Sequence, residues 1–60
     1  MTNYQFANMI HSLVVNETFV APWLLVEDES YVSMLADMVN QGLALENIKD
    51  ALIAYVSDNY

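Results

Sequence analysis

The chain has one glycine, Gly42, and it stands between two stretches of helical periodicity. Before it, Tyr31, Met34, Leu35, Met38 and Val39 share one helical face, while Ser33, Asp37 and Asn40 fall opposite. After it, Ala44, Leu45, Ile48, Ala51, Leu52, Tyr55 and Val56 line up in the same way. A helix that must stop favours a residue that tolerates positive φ, and glycine adopts that conformation at no steric cost. Gly42 therefore predicts a helical hairpin, with helices over 29–41 and 45–57. Leu43 is expected to fold back on Met38 and to precede an N-cap at Ala44, with Ile48 completing a hydrophobic staple. Ala44 is a weak cap, because it offers no side-chain oxygen to the free N–H groups; relative to Ser or Asp this costs about 1 kcal/mol.

A further helix is expected over 3–15. Thr2-Asn3-Tyr4-Gln5 fits a capping box, in which the Thr2 hydroxyl accepts from the Gln5 N–H and the Gln5 side chain reaches back. Phe6, Met9, Ile10, Leu13 and Val14 form its predicted buried stripe, and Asn16 is the expected left-handed end. In the connector, Ala21 precedes Pro22 and is pushed toward extended geometry. Pro22 suits the first position of a short helical turn near 22–26, carrying Trp23, Leu24 and Leu25. Among Glu27, Asp28 and Glu29, Asp28 is the expected N-cap of the next helix, and all three carboxylates favour the positive end of its dipole. The expected architecture is all-α: one small acidic domain over 1–60, a three-helix bundle with a short helical turn between the first two helices.

Sixty residues make a single domain, and a chain of this size buries only about 60 % of its unfolded surface. There is no cysteine, hence no disulfide framework. Yet 57 % of the residues are hydrophobic and the mean hydropathy is +0.29. Part of this apolar material is expected to face a protein partner or a second copy of the chain, as a hetero-complex or homo-oligomer. The charge is one-sided: eight acidic residues stand against Lys49 alone, for a net of −7. One lysine cannot build a surface for a phosphate backbone or an anionic membrane, so neither nucleic acid nor lipid is an expected direct ligand. A partner with a basic or apolar surface fits. The N-terminal MTNYQFANM has no positive region, so no secretory signal is expected. The longest apolar run, Phe19 to Val26, contains Pro22 and is too short to span a bilayer. The expected compartment is the cytoplasm, or a host cytoplasm if the gene is viral.

No catalytic set can be assembled. His11 is the only histidine, and its neighbour Ser12 points to a different side of the helix. Glu46 and Asp50 are paired in sequence, but on an expected exposed face with no pocket to shift their pKa. The Glu27-Asp28-Glu29 cluster lacks the alternating oxygen ligands and the glycine of a calcium loop. The chain is therefore read as a non-enzyme with no cofactor and no metal.

Three features are candidate partner-binding residues. Ile53 falls on the polar side of the last helix with Glu46, Lys49 and Asp50, as an apolar centre rimmed by charge or as a lone exposed isoleucine. Tyr4, His11 and Val15 align on the expected outer side of the first helix, as partly shielded surface residues or as a second contact face. Trp23, the single tryptophan, either plugs the open end of the core or stands out as an interface anchor.

The segment Met38–Leu52 is similar to the first helix hinge of ubiquitin-associated domains, in the pairs Gly42-Leu43 and Ala51-Leu52. It departs from that family at Asn40 and Gln41, where the family has Met before the glycine, and the similarity covers a quarter of the chain. In size and composition the chain resembles phage-encoded modulators of host machinery. The function expected from the residues is a small acidic inhibitor, adaptor or assembly subunit that binds through an apolar patch with an acidic rim. The alternatives are a nucleic-acid mimic that blocks a basic groove, and a purely structural homo-oligomer. Mimicry should weaken steeply with added salt, whereas an apolar interface should not.

Overall fold

The computed structural model describes residues 1–20 and 23–60. Four helices run in the order α1 (Asn3–Thr18), α2 (Leu24–Glu27), α3 (Glu29–Asn40) and α4 (Leu45–Asn59). The protein is a small all-α bundle of three main helices, with α2 as the short turn between the first two. Ala21 and Pro22, where an extended residue and a turn-opening proline were expected, lie outside the described residues.

The hairpin forms as its residues dictate. Gly42 takes φ 76°. The Leu43 N–H donates to the Met38 carbonyl at 3.3 Å and the Gly42 N–H to that of Val39 at 3.1 Å, the paired bonds of a Schellman cap. Ala44 is the N-cap of α4 and contributes no side-chain hydrogen bond, while Asp28 caps α3 by accepting from the Tyr31 N–H at 3.0 Å. A Cβ at Gly42 would meet nothing within 4 Å, so a substitution there is penalised by backbone conformation alone. Gly42→Val is expected to cost more than about 1 kcal/mol, since a β-branched residue is strained at positive φ. A thermal melt of the variant checks this; an unchanged midpoint would contradict the cap.

Helix α1 begins with the expected capping box. The Gln5 N–H donates to Thr2 Oγ1 at 3.1 Å, and the Thr2 N–H donates to Gln5 Oε1 at 2.9 Å. It does not end at Asn16. It continues to Thr18, and the left-handed residue is Phe19 at φ 57°. Packing against α4 carries the helix through this extra turn: Val14 is buried, Thr18 is half-buried, and Glu17 is bonded to Lys49. Phe19 is 91 % exposed, and a non-glycine residue in this conformation is strained by about 1–2 kcal/mol.

Helix α1 lies across the hairpin. Asn3 Nδ2 reaches Asn40 Oδ1 at the end of α3 (3.3 Å), and Glu17 reaches Lys49 in the second turn of α4 (2.9 Å). The core between them is Ile10 and Val14 of α1, Leu24 of α2, Tyr31, Leu35 and Val39 of α3, and Ile48, Leu52 and Val56 of α4. The α3 stripe buries as expected; on α4 Ile48, Leu52 and Val56 are buried as expected, whereas Ala44 is exposed and Ile53, outside the expected stripe, packs against the core. On α1 the buried line is turned toward His11, and Met9, expected inside, is at the surface. His11 is only 6 % exposed, because Tyr31 Oη lies 2.7 Å from its Nδ1 and the two rings meet edge to face. A polar ring enters a core when it brings its hydrogen-bond partner with it. The accessible surface, 3870 Å², is close to the ~3950 Å² expected for a folded monomer of this mass. Apolar groups left outside are thus features of a completed surface, not of an unfinished core.

Candidate protein-binding surface

Alanines on facing helices leave a depression between α1 and α3. Ala7 and Ala36 carry too little side chain to fill the gap, and the result is an open groove of about 560 Å³. Tyr4, Ala7 and Asn8 form the α1 wall. Val32, Leu35, Ala36 and Val39 form the α3 wall and floor, and Leu25 and Val26 of α2 close one end. The Asn3–Asn40 bond closes the other. Asn8 Nδ2 donates to the Tyr4 carbonyl at 3.0 Å and so is held along the rim.

Val26 is the ridge of this surface. It is 85 % exposed, and it lines the groove, a hollow of about 320 Å³ shared with Leu25, Glu29, Val32 and Ser33, and a concavity of about 630 Å³. That last hollow is walled by Trp23, Glu27, Asp28, Glu29, Ser30 and Tyr60. Tyr4 is 78 % exposed and Trp23 is 51 % exposed. Asp28 is fixed in place there. Its Oδ1 accepts from the Tyr31 N–H, and its Oδ2 accepts from Tyr55 Oη at 2.8 Å and Tyr60 Oη at 2.6 Å. The Tyr60 hydroxyl, then the Tyr31 N–H, hold the Asp28 carboxyl below the usual carboxylate range. The same bond pushes the Tyr60 phenol up to about 12.

The sign of the Asp28 effect follows from its depressed folded pKa. The contribution is present in full above the ordinary carboxylate value of 3.8 and is lost as pH falls through the lower folded value. Asp28→Asn is expected to melt lower than the natural chain at neutral pH, and the gap should narrow below that value. Melting curves across pH 2 to 7 (about neutral at the upper end) check this, and a gap independent of pH would contradict it.

The residues singled out in the sequence are not brought together as drawn. His11 is in the core and cannot belong to an outer face. Val15 is half-buried, which leaves Tyr4 as the exposed member of that set. Lys49 does not stand outward between Glu46 and Asp50; it turns to α1 and pairs with Glu17, which raises its pKa first, with Asp50 and Glu46 adding to the shift, in the one ion pair among the described residues. Ile53, one turn further on the same edge of α4, is half-buried and packed against the core. Glu46 and Asp50 remain exposed, but without the apolar centre expected between them. Ile53→Asp is expected to destabilise the fold by more than about 1 kcal/mol, by placing a charge against apolar neighbours. Denaturant titration reads this directly; an unchanged midpoint would return Ile53 to the free surface. Trp23 is 51 % exposed and does not belong to the buried core.

Sequence reasoning missed Ala7, Leu25, Val26, Val32 and Ala36. The available signal was Val32 and Ala36 at i, i+4 beside the core stripe of α3, a second apolar line that one buried face does not require. Among the described residues no group of three or more His, Cys, Asp or Glu side chains is placed to hold a metal ion, and no helix is long and apolar enough to cross a membrane. Comparison with protein-family models, curated proteins and solved structures gives no match.

Proposed function

We propose that the protein is a non-enzymatic protein-binding module, an inhibitor, adaptor or assembly subunit, and that its partner sits on the face made by α1, α2 and α3. The observation that carries this reading is Val26, an 85 % exposed residue shared by three concavities and flanked by exposed Tyr4 and Trp23. Single exposed apolar residues are ordinary. A continuous apolar surface beside a charged rim is the anatomy of an interface, in which a few aromatic and aliphatic anchors supply most of the affinity. The chain's net charge of −7 steers a basic partner to it and repels an acidic one.

The test is affinity capture from the source organism's lysate, with the natural chain and Val26→Asp as parallel baits. Val26 is not part of the core, so the variant should keep its melting temperature. A discrete protein retained by the natural chain at moderate salt and lost with Val26→Asp is the expected result. Retention that is identical for both baits would contradict the assignment.

A further inference from the structure

We infer that the α1–α3 groove receives one amphipathic helix of the partner, with apolar residues along its length and a basic residue at the end that lies over Glu27 and Glu29. This rests on the reading of the protein as a protein-binding module and names the partner's chemistry.

The groove selects the element. Its walls are two helices, and among the described residues there is no strand and so no sheet edge to extend. It runs along α3 from Val32 to Asn40, about 12 Å at 1.5 Å per residue. That length takes a little over two turns of a bound helix, hence three apolar anchors at i, i+4 and i+7. Small Ala7 and Ala36 at its centre allow a close approach, and apolar Leu25, Val26 and Val32 meet the anchors at one end.

Charge selects the partner. The charged side chains bordering the α2 end are all acidic: Glu29 lines the shallow hollow beside Val32, and Glu27, Asp28 and Glu29 line the one beyond Val26. Asp28 is already engaged by three donors, which leaves Glu27 and Glu29 to face an incoming cation. Trp23 and Tyr60 wall the same hollow, and aromatic faces add attraction for an arginine or lysine. A second copy of this chain is the wrong occupant. It would bring a further net charge of −7, and its single lysine is paired with its own Glu17.

The probes are two synthetic helical peptides of about fifteen residues, each with leucine at i, i+4 and i+7, one with two arginines at one end and the other with two glutamates. Amide shifts of the labelled protein are followed as each is added. The arginine peptide is expected to move Ala7, Val32 and Ala36 and to bind about tenfold tighter than the glutamate peptide at low salt, with the difference shrinking as salt is raised. Ala36→Arg, at an exposed position, is expected to abolish those shifts without lowering the melting temperature. Glu29→Gln is expected to reduce the preference for arginine and to leave binding of the glutamate peptide no weaker. Equal affinity for the two peptides, shifts confined to other faces, or undiminished binding by a folded Ala36→Arg protein would overturn the inference. If the groove takes no peptide while lysate capture still depends on Val26, the helix is wrong and the protein-binding reading stands. If capture is also independent of Val26, both fall.

Discussion

Leu52→Ala is expected to lower the melting midpoint by more than about 10 °C. Leu52 is completely buried at the centre of the α4 stripe, between Ile48 and Val56, and belongs to the core built by all four helices. Truncating such a leucine removes its transfer free energy and leaves a cavity, a cost of about 2–5 kcal/mol. A domain of this length has roughly 3–9 kcal/mol in total, at about 0.05–0.15 kcal/mol per residue. The substitution therefore consumes from a quarter of the stability to all of it, and the melting midpoint should fall by more than about 10 °C. Circular dichroism measures this. A midpoint within a few degrees of the natural chain would mean that α4 is not seated as described.

The second large effect is at Tyr31, where packing and hydrogen bonding can be separated. The ring is fully buried, meets His11 edge to face and stands 6.1 Å from the Tyr55 ring, centroid to centroid. Tyr31→Ala should cost about 3–5 kcal/mol, the range for deleting a buried aromatic. Tyr31→Phe keeps the ring and removes only the 2.7 Å bond to His11 Nδ1, at a cost of about 1–3 kcal/mol. The two variants also differ from the natural chain in alkali. Burial pushes the Tyr31 phenol up from 10.0 to about 12. Its contribution is present in full below the unfolded value and is lost as pH rises through the folded one. Tyr31→Phe should lack that part of the alkaline loss. If the phenylalanine variant is as stable as the natural chain and just as sensitive to alkali, the buried hydroxyl has been assigned too large a role.

The hairpin was legible because its signals are local. Gly42 and two stripes of one period lie within a few residues of the contacts they make, and Asp28 announces its own helix start; the expected staple residue Leu43 is instead exposed. What was not legible depends on which helices flank each edge. The sequence shows His11 as a polar residue and cannot show that Tyr31, twenty positions away, arrives to bond it. Ile53 and Lys49 read as polar-face residues of α4 until α1 is laid along that edge and Glu17 meets Lys49. The end of α1 was misplaced for the same reason: Asn16 is a good local stop, but packing of Val14 and Thr18 carries the helix on to Phe19. The groove was missed because it is made of what is absent, the missing bulk at Ala7 and Ala36, and a depression is visible only once its two walls are paired.

That pairing of walls is also where the functional account is most exposed to test. Oxidative side-chain footprinting of the protein, free and bound to the partner captured through Val26, reads which surface is covered. Tyr4 and Trp23 are exposed in the free chain and lie on the proposed face, whereas Leu43 is exposed at the hinge beside Gly42. Strong protection of Tyr4, Val26 and Trp23 with unchanged reactivity at Leu43 is the predicted result. Protection of Leu43 with Tyr4 and Trp23 left reactive would place the partner elsewhere and contradict the proposed surface.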